Sequence, residues 1–142
     1  MKKTDHDPKA IELIAVTIGP GAFTSLRVGL ATARGIALAT GAPCIGLTST
    51  ETLAAAHVKD ELNESILAVI TSKRADIYSQ AFRANTVPIG EPSALALEKL
   101  SDHYRAHCCT ENYCTLVGDA QAIVIPHLIE AGWKVRQSST IF

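Results

Sequence analysis

The first stretch whose residue types and spacing could serve a chemical function is a glycine-rich turn. Gly19-Pro20-Gly21 follows an apolar run and precedes a long apolar segment, and turns of this kind can hold a phosphate at a helix N-terminus. Thr24 stands where a dinucleotide fingerprint has its third glycine, and the Lys-Ser/Thr pair of a Walker loop is absent. We therefore interpret Gly19, Pro20 and Gly21 as a structural turn that sets the direction of the next helix, with a phosphate site as the alternative.

A second stretch combines histidines with cysteines. His103 and His107 are one helical turn apart, so they can share a metal ion that a thiolate completes. Cys108, Cys109 and Cys114 match no established zinc spacing. We therefore favour a solvated helix end followed by a buried strand cysteine, and no metal site is predicted.

Other reactive side chains are isolated along the sequence. Cys44 lies inside an apolar strand and is predicted to be an inert, buried thiol. Asp76 and Asp119 fall at the ends of predicted elements, where helix or turn capping explains them. The pair Lys73-Arg74 is interpreted as an exposed hairpin turn. The sequence therefore predicts no catalytic residue and no cofactor.

Composition limits the class of protein. The 142 residues carry a net charge of −1 and are 47% hydrophobic, which suits one domain or two small lobes with a packed core. The balanced charge disfavours tight nucleic-acid binding by this chain alone. The first ten residues do not resemble a signal peptide, no apolar run has the length of a membrane span, and the four cysteines are interpreted as reduced thiols. We expect a soluble, cytoplasmic protein.

The elements that position these residues differ between the two halves. Residues 11–18 predict a strand buried on both faces. A helix that Thr24 or Ser25 caps runs to about residue 40, and a strand at 44–48 follows. A short helix at 50–57, with Ser49 or Thr50 as its cap, completes a βαβα order.

The second half reads βββαβα. Its strands are predicted at 66–71, 76–82, 93–97 and 113–118, and its helices at 98–107 and 119–131. If both halves follow one plan, the first lacks three opening strands and a helix. We expect an α/β protein with an incomplete lobe at residues 1–60 and a second lobe at 61–142.

The helix at 25–40 has two faces of small side chains. On a helical wheel, one face is centred on Gly29 and Ala33 and the other on Val28 and Gly35, while only two arginines mark a solvated edge. An internal glycine costs about 1 kcal/mol relative to alanine, which close approach of another backbone can offset. One face is therefore predicted to pack on the sheet and the other on a further helix, with burial inside a larger monomer as the alternative. The residues predicted to contact that partner are Leu26, Gly29, Leu30, Ala33 and Ala37.

Residues 14–55 closely resemble the signature of the bacterial TsaB (YeaZ) family, in which a strand leads into Gly-Pro-Gly-Ser-Phe-Thr-Gly-Leu-Arg and a helix rich in Gly and Ala. Residues 66–82 and the LVGDA stretch at 116–120 are also similar to the family. The similarity extends over about residues 11–125. In this sequence Ser25 replaces the usual glycine of the signature. The family's opening and much of its C-terminal end have no counterpart, so we expect a chain shortened at both ends.

The resemblance implies the actin-like ATPase and ribonuclease H type of fold, in two lobes. It also implies a non-catalytic accessory subunit that supports TsaD, the subunit that installs threonylcarbamoyl on tRNA adenosine. The TsaD group uses a metal-binding His-x-x-x-His where this sequence has Thr48-Ser49-Thr50-Glu51-Thr52. The implied partners are a TsaD-like subunit through the helix at 24–40, a TsaE-like ATPase in the same complex, and a second copy of the chain. Contact with tRNA would be indirect, and no membrane is involved.

Three alternatives stay open from the sequence. The fold type is compatible with a nucleotide-dependent phosphotransferase, and His103 with His107 is compatible with a metallopeptidase. A chain this short could also be a remnant without function, in which case it would lack a cooperative unfolding transition.

Overall fold

A computed structural model describes residues 7–57, 64–105 and 113–138 of the chain. Within the first range, a short 3-10 turn at Pro8–Ala10 precedes two parallel strands and two helices. The bounds of these four elements are β1 Ile14–Gly19, α1 Phe23–Thr40, β2 Cys44–Thr48 and α2 Ser49–His57.

The remaining ranges form a five-stranded sheet with two helices. The bounds are β3 Ile66–Thr71, β4 Asp76–Phe82, β5 Pro88–Ala96, α3 Leu97–Arg105, β6 Tyr113–Val117, α4 Gln121–Glu130 and β7 Lys134–Gln137. The strand order is β5-β4-β3-β6-β7, with β3, β4 and β5 antiparallel and β6 parallel to both β3 and β7. The βββα opening that the resemblance implies is therefore present in this half.

The main hydrophobic core lies between the five-stranded sheet and helices α3 and α4. Strands β3 and β6 are buried over most of their length because each is paired on both edges. Buried polar groups in this core are paired, as burial requires: the Tyr104 hydroxyl lies 2.9 Å from the Ser79 oxygen, and the Trp133 indole donates to Ser101 at 3.0 Å.

Helix α2 connects the two sheets. It contacts β1 and β2 on one side and β3, β4 and β6 on the other. Its buried Thr50 donates a hydrogen bond to the Gln80 side chain on β4. The helix begins with a capping box, in which the Thr48 hydroxyl accepts from the Glu51 amide at 3.0 Å and the Glu51 carboxylate accepts from the Thr48 amide at 2.7 Å.

Several predicted boundaries are corrected. The caps of α1 and α2 were wrong: the N-cap of α1 is Ala22, which makes no side-chain capping bond, and Thr48 rather than Ser49 or Thr50 caps α2. The third strand of the second half is longer than predicted, since β5 begins at Pro88. Strand β7 was missed because its sequence is polar and it lies at the sheet edge.

Burial in the first half also differs from expectation. The stretch at 11–18 is not buried on both faces: Leu13 is 53% and Ile18 is 52% exposed. Cys44 is exposed rather than buried, whereas Cys114 is buried as predicted. The reason is that a two-stranded sheet has too little surface to enclose its own side chains. The predicted boundary between lobes at residues 60 and 61 lies outside the described ranges.

Candidate functional site

The glycine-rich turn is held against the start of α1. Gly19 has a φ of +117°, which favours glycine, and the Gly19–Pro20 peptide bond is cis. A Cβ at Gly19 would lie 3.3 Å from the Leu26 side chain, and one at Gly21 would lie 3.8 Å from it. The turn therefore packs on the first turns of the helix, with the Leu26 side chain beside it.

The five residues predicted to contact a partner lie on one stripe of α1. Ala33 is the buried residue of this helix, and Leu26, Gly29, Leu30 and Ala37 are half-buried. Helix α1 packs mainly on β1, so this stripe faces the chain's own sheet. As partner contacts the five residues remain a prediction, and only their half-exposed rim is accessible in this chain.

The opposite side of α1 is an exposed surface without charge, which we call the outer face. Its residues lie between roughly 100° and 160° from Ala33 on the wheel, and all are exposed. They are Val28, Ala31, Thr32, Gly35 and Ala39. Two apolar side chains, Phe23 and Leu38, flank this face at 67% and 89% exposure, and the Arg27 guanidinium lies 3.8 Å above the centre of the Phe23 ring.

The glycines inside α1 make no close contact within the described residues. A Cβ built at Gly29 or Gly35 would meet no atom within 4 Å outside the helix itself. The close backbone approach that the sequence predicted at these positions is therefore not made inside the described part of the chain.

Asp119 has a different role from the predicted cap. Its two carboxylate oxygens accept from the Thr71 amide and the Thr71 hydroxyl, each at 2.7 Å. Helix α4 has Ala120 as its N-cap and receives no side-chain capping bond there. Asp119 therefore ties the turn after β6 to the end of β3. The capping prediction was wrong because the partner is distant in sequence.

A cavity of about 390 Å³ lies beside Asp119, between the two sheets. Residues from both halves contribute to its wall. They are Thr17, Pro20, Ser49, Thr52, Leu53, Ile70 and Asp119. Sequence reasoning missed this site, because its members are spread over a hundred residues and share no motif. Asp119 in the LVGDA stretch was the one available signal.

The remaining predicted sites are partly outside the described residues. His107, Cys108 and Cys109 lie there, while His103 packs edge-to-face on Tyr104 with ring centres 4.8 Å apart. Within residues 7–57, 64–105 and 113–138, no group of three or more His, Cys, Asp or Glu is arranged to hold a metal.

Lys73 and Arg74 are exposed, as predicted. No described helix combines the length and apolarity that a membrane span needs.

Comparison with known proteins finds sequence relatives of two kinds. A family model described as "TsaD: tRNA N6-adenosine threonylcarbamoyltransferase" matches residues 1–110. The protein of that name from Desulfovibrio desulfuricans is 33% identical over 92 residues, covering 63% of this chain and 26% of its own length. The tRNA threonylcarbamoyladenosine biosynthesis protein TsaB of Escherichia coli is 27% identical over 108 residues, covering 75% of this chain and 47% of its own.

A solved structure shares the fold. YeaZ from Pseudomonas aeruginosa superimposes with a TM-score of 0.72 at 21% identity, over 84% of this chain and 55% of that chain. This likeness confirms the predicted α/β fold class of the actin-like and ribonuclease H type. The chain spans only a quarter to about half of the length of the curated relatives above.

Proposed function

The chain belongs to the family described as TsaD: tRNA N6-adenosine threonylcarbamoyltransferase, and on this premise we propose that it is a non-catalytic accessory subunit in tRNA threonylcarbamoyladenosine modification. The resemblance to TsaB (YeaZ) is confirmed by the relatives that carry these names. In this role the chain binds and supports a TsaD-like catalytic subunit, with a TsaE-like ATPase in the same complex and tRNA contacted through its partners.

The segment after β2 carries this proposal. The resemblance places the metal-binding histidines of the TsaD group at residues 48–52, where this chain has hydroxyls and one carboxylate. The Glu51 carboxylate accepts from both the amide and the hydroxyl of Thr48, at 2.7 and 2.8 Å. These side chains are engaged in starting α2, which supports a structural rather than a metal-binding use of this segment.

The outer face of α1 supports the second part of the proposal, that the chain binds a TsaD-like subunit. Its small, uncharged side chains and its glycine leave room for a second helix to approach closely, and the apolar Val28 is 62% exposed. Because the predicted stripe around Ala33 faces the chain's own sheet, we place the centre of the contact on the outer face. The half-exposed Leu26 and Leu30 lie on the opposite, sheet-facing stripe, outside this contact. A second copy of the chain can use the same face, as a homodimer.

Reconstitution with purified proteins tests the accessory role. The chain alone is expected to leave tRNA unmodified, and adding it to a TsaD-like subunit with the other required components is expected to raise threonylcarbamoyladenosine formation, read by mass spectrometry of tRNA nucleosides. Modification by the chain alone, or no effect of adding it, would contradict the proposal.

Matched leucine substitutions test the docking face. Ala31→Leu on the outer face is expected to weaken pull-down of the TsaD-like subunit at least tenfold, because the larger side chain blocks close helix approach. Ala122→Leu at an exposed position of α4 is the control and is expected to bind normally. Ala33→Leu is expected to lower the stability of α1 on its sheet. Normal binding by Ala31→Leu with an unchanged circular dichroism spectrum would exclude the outer face.

The enzyme alternatives are tested on the same preparation. Calorimetry with ATP–Mg and metal analysis of the purified chain address the phosphotransferase and the metallopeptidase. Stoichiometric zinc, or micromolar affinity for ATP in the isolated chain, would favour an enzyme over the accessory subunit.

A further inference from the structure

The edge strands of the two sheets differ in their protection against further strand pairing. Within the described ranges these strands are β1 and β2 of the smaller sheet and β5 and β7 of the larger one. Native proteins block an edge with charged residues and proline. Strand β5 carries Pro88, Glu91 and Pro92, and β7 carries Lys134 and Arg136. Strands β1 and β2 contain neither a charged residue nor a proline, so the edges of the smaller sheet are unprotected.

The outer edge of β1 presents backbone groups that no described strand pairs. The Ile14 amide donates to the carbonyl oxygen of Pro43, just before β2, at 2.9 Å. Because backbone groups alternate in direction along a strand, those of Val16 also face β2. The amides and carbonyls of Ala15 and Thr17 therefore point to the opposite edge, where the described ranges supply no strand.

The outer edge of β2 is less suited to a further strand. The Thr48 amide already donates to the Glu51 carboxylate at 2.7 Å, and Gly46 weakens β2 as a strand. In the larger sheet the equivalent parallel pair is β6 and β7, which α4 joins. There β7 forms the edge, whereas β6 is also paired with β3. The place of β1 is therefore the one that takes a second strand.

Strand β1 is complementary to a second copy of itself. A two-fold axis at Val16 places Ala15 of one copy opposite Thr17 of the other, and their outward amides and carbonyls can then exchange both hydrogen bonds of an antiparallel pair. The same axis places Ile14 beside Ile18 of the second copy, and β-branched side chains that pair across strands stabilise a sheet. Ile18 is 52% exposed in the single chain, so this pairing removes apolar surface from water.

We propose that β1 binds β1 of a second copy in antiparallel orientation, which joins the smaller sheets of two copies into one continuous sheet. Two-fold contacts of this self-complementary kind are the commonest in homo-oligomers. The antiparallel orientation separates the two exposed Glu12 side chains to opposite ends of the paired strands, whereas a parallel pairing in register would place these like charges side by side. This surface is separate from the outer face of α1, so it does not depend on the proposed function.

Sedimentation equilibrium of the full chain tests the association. The chain is expected to be a monomer of 15.1 kDa at submicromolar concentration, with Ile18 exposed, and to reach twice that mass near millimolar concentration. Ala15→Pro removes an outward amide and spares the bonds to β2, so it is expected to raise the dissociation constant at least about tenfold. Cys44→Pro, at the first residue of β2, is the control and is expected to leave the dimer intact.

Three sedimentation results would overturn the proposal. One is a chain that stays monomeric near millimolar concentration. Another is an unchanged dissociation constant in Ala15→Pro with a circular dichroism spectrum like that of the parent chain. The third is loss of the dimer in Cys44→Pro but not in Ala15→Pro, which would assign the contact to β2.

A disulfide cross-link locates the contact even if the proline variants fail to fold. Directly opposite residues that are not hydrogen-bonded have Cα atoms about 4.5 Å apart in an antiparallel pair, a distance that a disulfide can bridge. Val16→Cys is therefore expected to form a disulfide between the two copies under mild oxidation, identified by mass spectrometry of the linked peptides. Val28→Cys, on the outer face of α1, is the control and is expected to cross-link at least tenfold more slowly. Faster cross-linking through Val28→Cys than through Val16→Cys would overturn the proposal and place the dimer contact on α1.

Discussion

Two strand–helix–strand units in this chain have the same order of elements but differ in burial. The unit β1–α1–β2 and the unit β6–α4–β7 each pair their strands in parallel. A glycine of positive φ is the last residue of β1 (Gly19, +117°) and directly follows β6 (Gly118, +113°). Strand β6 is buried along almost its whole length, whereas β1 is half-buried to exposed except at Gly19.

The difference follows from what pairs with the first strand. Strand β6 lies between β3 and β7, but within the described ranges β1 pairs with β2 alone. Their helices differ in the same way, because α4 buries three of its ten residues and α1 buries one of eighteen. The same local pattern therefore becomes core or surface according to the elements that pack against it, and the apolar surface of the first unit stays exposed among the described residues.

The largest expected effect is the difference in lost stability between alanine substitutions at the two glycines. A Cβ at Gly118 would overlap the carbonyl oxygen of Val69 in β3, so Gly118→Ala is expected to destabilise the chain by at least about 3 kcal/mol. At Gly19 the nearest atom is a movable leucine methyl at 3.3 Å, and Gly19→Ala is expected to cost about 1–2 kcal/mol. Urea unfolding followed by Trp133 fluorescence measures both. Equal losses would contradict the view that only β6 is tightly enclosed.

Removal of a side chain at matching strand positions is expected to have the next largest effect. Val117 and Ile18 each precede the glycine, but Val117 is fully buried and Ile18 is 52% exposed. Val117→Ala is expected to cost about 2 kcal/mol from lost burial and a residual cavity, and Ile18→Ala about 0.5 kcal/mol or less. The same urea titration gives both values. A loss at Ile18 as large as that at Val117 would show that β1 is covered in solution, for example in a dimer.

A smaller effect is expected at the junction of the two units. Thr50→Val keeps the shape of the side chain but removes its hydrogen bonds to Gln80 and to the Thr48 hydroxyl, and the loss of the first leaves a buried acceptor unpaired. The expected cost is about 1–2 kcal/mol. Thr52→Val is the control, because that hydroxyl bonds only backbone oxygens of its own helix end. If Thr50→Val has no effect on thermal unfolding, α2 does not couple the two sheets through this bond.

The smallest effect is expected from the ion pair on the second unit. Arg136 lies 3.1 Å from Glu64 and its side chain is 47% exposed, so Arg136→Ala is expected to cost less than about 1 kcal/mol. Screening should shrink this cost further in 1 M salt. Glu64 also accepts from the Thr115 hydroxyl at 2.8 Å. A salt-dependent loss well above this value would mean that charge, rather than apolar burial, distinguishes the second unit.

The order and type of most elements were predictable, because they depend on local signals. Alternating and continuous apolar runs located β3 and β4 at their observed bounds, and Gly41 marked the end of α1. Strand β7 has no such apolar run and forms because β6 offers it an edge. The cap at Thr48 was predictable in principle, since Glu51 follows three residues later, as in a capping box.

The candidate site was only partly predictable. The sequence identified a helix with two faces of small side chains, but not which of these faces would pack on the sheet. The cavity could not be predicted, because Thr17 and Asp119 are about a hundred residues apart in the chain and meet only where strand ends converge. Local periodicity describes one element at a time, whereas a cavity depends on the packing of several.

The sequence by itself determined the family, the fold class and the glycine at the end of each first strand. These features depend on motifs and backbone requirements of residues that are close together in the sequence. The tertiary structure alone decided that Ala33 faces inward and Val28 outward, and that Asp119 bonds Thr71 across two strands. The physical reason is that burial and long-range hydrogen bonds depend on which surfaces the folded chain brings together.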